Sequence, residues 1–195
     1  MTVGPRGEAV SRLPDSIAGA QVIRRAVCVE YERAPQQVLE AMEREQPQIV
    51  LCVGQAGGRA GITPEYAALN VADAAIADNA GQMRHGEKLV KDGPAAYFST
   101  LPVRTMIAAL KQAEIPAALS YTAGTYVCNC VMYHILHAAG KETRAGFIHV
   151  PFSAAQAARR DALTPSMPLE MMTRGLEICI RTAVEAVRTP MDKND

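Results

Sequence analysis

Two cysteines in the stretch "TYVCNC", Cys128 and Cys130, are the first residues whose type and spacing could do chemistry. Such a pair could hold a metal, form a redox couple, supply one nucleophile beside a bystander, or fill a core. A zinc site wants four Cys or His ligands at finger-like spacing. His134 and His137 follow on the same predicted helix, but closing four ligands there would strain the geometry. The C-x-x-C redox spacing is absent. Free cysteine is often a small buried residue, so core filler is the ordinary reading of both. Position separates them. Cys128 falls in the first turn of a predicted helix, where free N–H groups and the macrodipole favour a thiolate and an oxyanion. Cys130 lies on another side of that helix and reads as the bystander.

A thiol nucleophile needs an imidazole to manage its proton and that of the leaving amine. His134 and His137 lie too far along the helix from Cys128, and His85 reads as a loop residue. His149, at the end of the run "RAGFIHV", could reach a neighbouring helix N-terminus, although a lone strand histidine is more often a core residue. The glycine-rich "VGQAGGR", 53–59, has neither G-x-G-x-x-G nor the Lys-Ser/Thr of a P-loop, so it reads as a tight turn. Glu65 in "ITPEY" reads by default as a solvated carboxylate.

The elements that must position these residues follow from hydrophobic periodicity. Residues 20–30 and 48–54 read as strands, the second as a continuous apolar run of the buried parallel type. Residues 65–74, 115–120 and 144–152 read as further strands. Helical spacing marks 35–46, 101–114, 124–140 and 168–188, and 77–95 reads as a long surface loop. Strands alternating with helices predict a three-layer α/β/α sandwich around a mostly parallel sheet. Ligands of such sheets bind at the carboxyl ends of the strands, where the glycine turn, the turn before Cys128 and His149 all fall.

The chain of 195 residues suits a single domain, 1–195. Lys+Arg and Asp+Glu are 20 each, so the net charge is zero and the basic excess of a nucleic-acid binder is missing. No apolar run is long enough to span a membrane, and the first residues lack the apolar stretch of a signal peptide. Five scattered cysteines fit a reducing cytoplasm better than a disulfide scaffold. The tail "RTPMDKND", from Arg188 on, reads as disordered.

The motifs "LCVGQAGGR", "ITPE", "DGPAAYFSTLP", "SYTAGTYVCN" and "GFIHVPF", in that order, resemble those of pyroglutamyl peptidase I, also called pyrrolidone-carboxylate peptidase. The resemblance implies an α/β/α cysteine peptidase that removes N-terminal pyroglutamate from peptides. It further implies a cytoplasmic homotetramer with neither metal nor cofactor. By position it makes Cys128 the nucleophile, His149 its imidazole and Glu65 the third member of a triad. It places the lactam ring near Gln55, Ile76, Tyr126 and Val127. Two departures stand out. The family opens with a strand and a loop resembling "TGFEPFGG", which this chain lacks, and "MTVGPRG" is too poor in β formers to replace the strand. The segment "EAVSRL" that follows reads as helix. The family's "ARIPDNEG" is here "AAIADNAG", so Ala75 stands where the family has an arginine credited with helping the oxyanion hole. These departures leave open a second reading, a catalytically impaired homologue that binds pyroglutamyl peptides or only assembles. A phosphorylase-like nucleoside enzyme shares the fold type, but no phosphate-binding motif supports it.

Overall fold

The computed structural model describes residues 2–3 and 7–188. The chain begins with Thr2–Val3 (β1), Glu8–Ser11 (α1) and a small hairpin of Ser16–Ile17 (β2) with Ala20–Gln21 (β3). Ala26–Val27 (β4), the helix Arg33–Glu45 (α2) and the strand Ile49–Gln55 (β5) follow. Four short strands come next: Thr63–Pro64 (β6), Ala67–Leu69 (β7), Ala72–Asp73 (β8) and His85–Glu87 (β9). Ala96–Phe98 (β10) precedes two helices, Val103–Gln112 (α3) and Val127–Ala138 (α4). The described chain ends with Arg144–Val150 (β11), Phe152–Ser153 (β12), Ala154–Ala157 (α5), Ser166–Met167 (β13) and Leu169–Arg188 (α6). Apart from Arg188, the tail expected to be disordered lies outside the described residues.

The main sheet runs β4-β1-β5-β11-β6, parallel except for the antiparallel β11–β6 edge. Its centre is the pair β5–β11, matched residue for residue from Ile49↔Arg144 to Gln55↔Val150. Strand alternation sorts these residues into two cores. Val50, Cys52, Ala145 and Phe147 pack with α2 and α4, through residues such as Val38, Val131 and Ile135. Val53, Ile148 and Val150 pack on the opposite face with Met106 of α3 and with Leu176 and Ala183 of α6. Helices therefore cover both faces, as the alternating pattern predicts. Each large aliphatic or aromatic side chain buried this way contributes about 1.5–3 kcal/mol.

Several expectations need correction. Residues 20–30 form only the two-residue pieces β3 and β4. Residues 115–120 form isolated bridges, Ile62↔Ala117 and Glu65↔Ser120, rather than a strand. Within the predicted loop 77–95, His85–Glu87 pairs antiparallel with β8, so His85 is on a strand.

The first residues give a mixed outcome. Thr2 and Val3, both β-branched, pair with Ala26 and Val27 on one side and with Val53 and Gly54 on the other. The expectation that this segment could not stand in for a strand is thus corrected at two residues. They fill only the carboxyl end of the place between β4 and β5. Behind them lies a groove of about 560 Å3, whose walls include Val22, Ile23, Ile49, Val50, Leu176 and Ile180. The predicted helix in "EAVSRL" is present as α1.

Candidate active site

The site is assembled where β5 and β11 end beneath the first turn of α4. Gly124 turns the chain with φ 80°, Tyr126 is extended, and α4 starts at Val127, which makes Cys128 its second residue. The first N–H groups of a helix have no partner within it. No side chain caps α4, which leaves this terminus able to hold an anion. Asn129 anchors the turn from behind. Its amide donates to the carbonyls of Leu69 and Val71, and its Oδ1 accepts from the Leu69 N–H.

His149 projects from the penultimate position of β11, opposite Gly54 on one flank and Thr63 on the other. It is almost fully buried, and its ring leans on Phe147 with centroids 4.8 Å apart. Its Nδ1 lies 2.7 Å from Glu65 Oε1. Glu65 itself is fully buried, with its backbone N–H bonded to Phe147 O at 2.9 Å. The reading of Glu65 as a solvated carboxylate is therefore wrong. A buried carboxylate needs a counter-charge, and a second donor supplies it. Arg59 Nη1 lies 2.7 Å from the same Oε1 and also bonds the Thr63 hydroxyl.

Cys128 belongs to this cluster. A Cβ placed on Gly54 would stand 3.2 Å from Cys128 Sγ, and Gly54 is His149's partner in the sheet. Burial, the Glu65 carboxylate and Cys52 push the Cys128 thiol from its ordinary 9.0 up to about 12, against a smaller lowering by Arg59. The expected resting thiolate is not what these surroundings give. The helix terminus favours the anion, but burial beside an existing carboxylate outweighs it.

The four residues expected around the lactam divide. The Gln55 amide at the end of β5 bonds Gln156 Oε1 at 2.6 Å and Pro151 O at 3.4 Å. The Tyr126 hydroxyl donates to Ala77 O at 3.0 Å, and its ring meets Tyr31 edge-on at 5.6 Å, placing it next to the 73–78 segment. Ile76 in that segment is 65% exposed. Val127 is fully buried in the core, so only its backbone faces the site. Asp78 holds the segment by accepting from the N–H groups of Tyr31, Ala80 and Gln82. Burial alone would raise its carboxyl, but those three bonds outweigh it and lower it. Ala75 is exposed beside Ile76.

Cys130, read from the sequence as a bystander, is buried and close to Tyr31 O and His134. His137 meets the Tyr97 hydroxyl, 2.7 Å from its Nδ1. Among the described residues no group of three or more His, Cys, Asp or Glu could hold a metal ion. Nor is any described helix long and apolar enough to cross a membrane. Arg59, Asn129 and Asp78 were missed by the sequence reading. The available signal for Arg59 was its place six residues before a carboxylate that must be buried to reach His149.

Comparison with known proteins follows the same lines. The family model for pyroglutamyl peptidase matches residues 1–186. The pyrrolidone-carboxylate peptidase of Thermococcus onnurineus is 46% identical over 187 residues, 94% of this chain and 92% of the relative. That of Enterococcus faecalis is 45% identical over 186 residues, 94% of this chain and 87% of the relative. Among solved structures, pyrrolidone carboxyl peptidase from Thermococcus litoralis superposes with a TM-score of 0.92 at 33% identity, covering 100% of this chain and 96% of that one. Pyroglutamyl peptidase I of Bacillus amyloliquefaciens gives 0.89 at 37% identity, covering 95% of each chain.

Proposed function

The chain belongs to the pyroglutamyl peptidase family, and from that premise we propose that Cys128, His149 and Glu65 carry the removal of N-terminal pyroglutamate from peptides. The observation that supports these roles is the buried Glu65–His149 contact of 2.7 Å at the strand ends under the turn that bears Cys128. With Nδ1–H donating to Glu65, the other ring nitrogen of a neutral imidazole is an acceptor. It takes the thiol proton as Cys128 Sγ attacks the pyroglutamyl carbonyl. The N–H groups at the start of α4 stabilise the oxyanion. His149 then delivers the proton to the leaving amine and a thioester remains. Water, deprotonated by His149, attacks the thioester and frees pyroglutamate and the thiol. Glu65 orients the ring and stabilises the imidazolium between the two transfers.

The lactam is neutral, so its pocket needs apolar walls and a few hydrogen bonds. Gln55, Tyr126, Ile76 and the Val127 backbone are the groups we assign to it. A glutamate in the same place would lose hydration without a partner. Residues 1–195 act as one unit in this reading. A cytoplasmic homo-oligomer, a tetramer by resemblance to the family, is its further extension. Nothing among these findings supports the impaired-homologue reading.

The test is turnover of a pyroglutamyl chromogenic amide by purified wild type beside Cys128→Ala. Release of the chromophore by wild type alone is the expected result. A folded wild type without turnover, or an active Cys128→Ala, would overturn the assignment.

A further inference from the structure

We propose that Arg59 is a positioning residue of this site: its guanidinium shares Glu65 Oε1 with the imidazole and, by balancing that carboxylate, keeps His149 neutral and able to take a proton. This rests on the triad reading above.

Glu65 is fully buried, and two donors converge on one of its oxygens, His149 Nδ1 and Arg59 Nη1, each at 2.7 Å. The other oxygen, Oε2, has no partner among the described residues. A carboxylate in such a place must be balanced by a cation. Two groups in contact can supply one: the guanidinium, which never gives up its proton, and the imidazole, by gaining one. Without Arg59 the charge is balanced only by imidazolium, which cannot accept a proton from Cys128. With Arg59 the carboxylate is already balanced, so the ring can rest neutral while Nδ1–H still holds it to Oε1.

The guanidinium is held to this task from two directions. It bonds the Thr63 hydroxyl, which donates in turn to His149 O at 3.3 Å, so one small network ties Arg59 to the strand end bearing the base. Its side chain is 30% exposed, so the balancing charge enters from the rim of the site. Among the described residues, Glu65, from the segment between β6 and β7, bonds the imidazole; Arg59, from the loop after β5, shares its carboxylate, and Cys128 of α4 feels the charge of both. The sign follows. Removing the guanidinium leaves Glu65 facing the ring alone, strengthens its hold on a proton, and moves the ascending limb of the activity profile to higher pH.

The experiment measures kcat/KM against pH, from about 5.5 to 9, for wild type, Arg59→Ala and Arg59→Lys acting on a pyroglutamyl chromogenic amide. For Arg59→Ala we expect a loss of up to about tenfold at pH 6 but under about twofold at pH 8.5, with the limb about one unit higher. The lysine variant should return the limb most of the way, because it restores charge without the fork. Millimolar guanidinium should partly restore Arg59→Ala at pH 6. An equal loss at every pH would show that Arg59 only holds the loop, and an unchanged profile would show that it does nothing for the base. Either result overturns the proposal. If Arg59→Ala does not fold, Arg59→Gln is measured in the same way, with the same outcomes. Failure of the triad reading looks different, since wild type itself would then be inactive.

Discussion

Gly54→Ala should disable the site without replacing any residue of the proposed triad. The new Cβ would stand 2.8 Å from both Cε1 and Cζ of Phe147 and 3.2 Å from Cys128 Sγ. The first distance is too short for carbon atoms, so something must shift. Phe147 is fully buried, and its ring packs on His149 at 4.8 Å, so the strain passes to the imidazole on one side and the thiol on the other. Overpacking of this kind costs about 1–3 kcal/mol. At about 2–4 °C per kcal/mol for a chain of this size, a cost of about 2 kcal/mol lowers Tm by about 4–8 °C. A misplacement approaching 1 Å between reacting groups costs about 10²-fold in rate. We therefore expect kcat on a pyroglutamyl chromogenic amide to fall by about 10²-fold in a protein that is still folded at 25 °C. Phe147→Leu removes the two clashing ring atoms. Its combination with Gly54→Ala should cost less stability than the sum of the two singles, a coupling visible in a double-mutant cycle. A folded Gly54→Ala with kcat within twofold of wild type, or strictly additive stabilities, would refute this account of how the thiol and imidazole are seated.

Three further outcomes are expected. Cys128→Ala and His149→Ala should each abolish turnover, whereas Glu65→Gln should keep more residual activity because it orients rather than reacts; equal loss in all three would mean that Glu65 does more than orient. Iodoacetamide at pH 7.5 should label Cys128 no faster than an ordinary exposed thiol, because burial and Glu65 push it up to about 12, while a haloketone carrying the pyroglutamyl group should label it first. Fast iodoacetamide labelling in peptide maps would instead reveal a thiolate at rest. Burial likewise pushes the buried thiols Cys130 and Cys179 from 9.0 to about 12. Raised values favour the protonated folded state, so this stability is intact below about pH 9 and is lost as pH climbs toward 12. At pH 10 each thiol costs on the order of 1 kcal/mol. Melting under reductant should therefore drop by about 6 °C or more between pH 8 and 10, and Cys179→Ala should shrink that drop.

What could be read in the sequence was whatever a strong apolar period dictates. The runs around Val50–Val53 and Phe147–Val150 and the stripes of α2, α3, α4 and α6 carry their own evidence, and each was found nearly in place. Residues 20–30 are just as rich in Val and Ile, yet they join the main sheet only at Ala26–Val27, where β1 lies alongside. A strand needs a neighbour, and no local pattern reports one. Cys128 and His149 could be suspected from position, but Glu65 could not. Its burial comes from the approach of β6 and β11, and only the family resemblance singled it out. Arg59 was hidden in a glycine turn read for its backbone alone. The upward push on the Cys128 thiol was not legible because the helix terminus is visible in sequence, whereas its burial and the neighbouring carboxylate are not.

The groove behind β1 makes the sheet a seam closed at one end. Between β4 and β5 it is fastened by a two-residue strand and is bordered farther back by apolar walls. Stability in such a sheet is not shared evenly. The part bearing Gly54, His149 and Thr63 is locked by β5–β11 pairing over seven positions and by β6 beyond it. The part made of β4 can part along the seam without breaking any of those pairings. Hydrogen exchange would then run in two tiers, fast at residues 22–27 and slow through 49–55 and 144–150. The strand ends that carry the proposed site would stay assembled through openings that let solvent into the other half of the sheet.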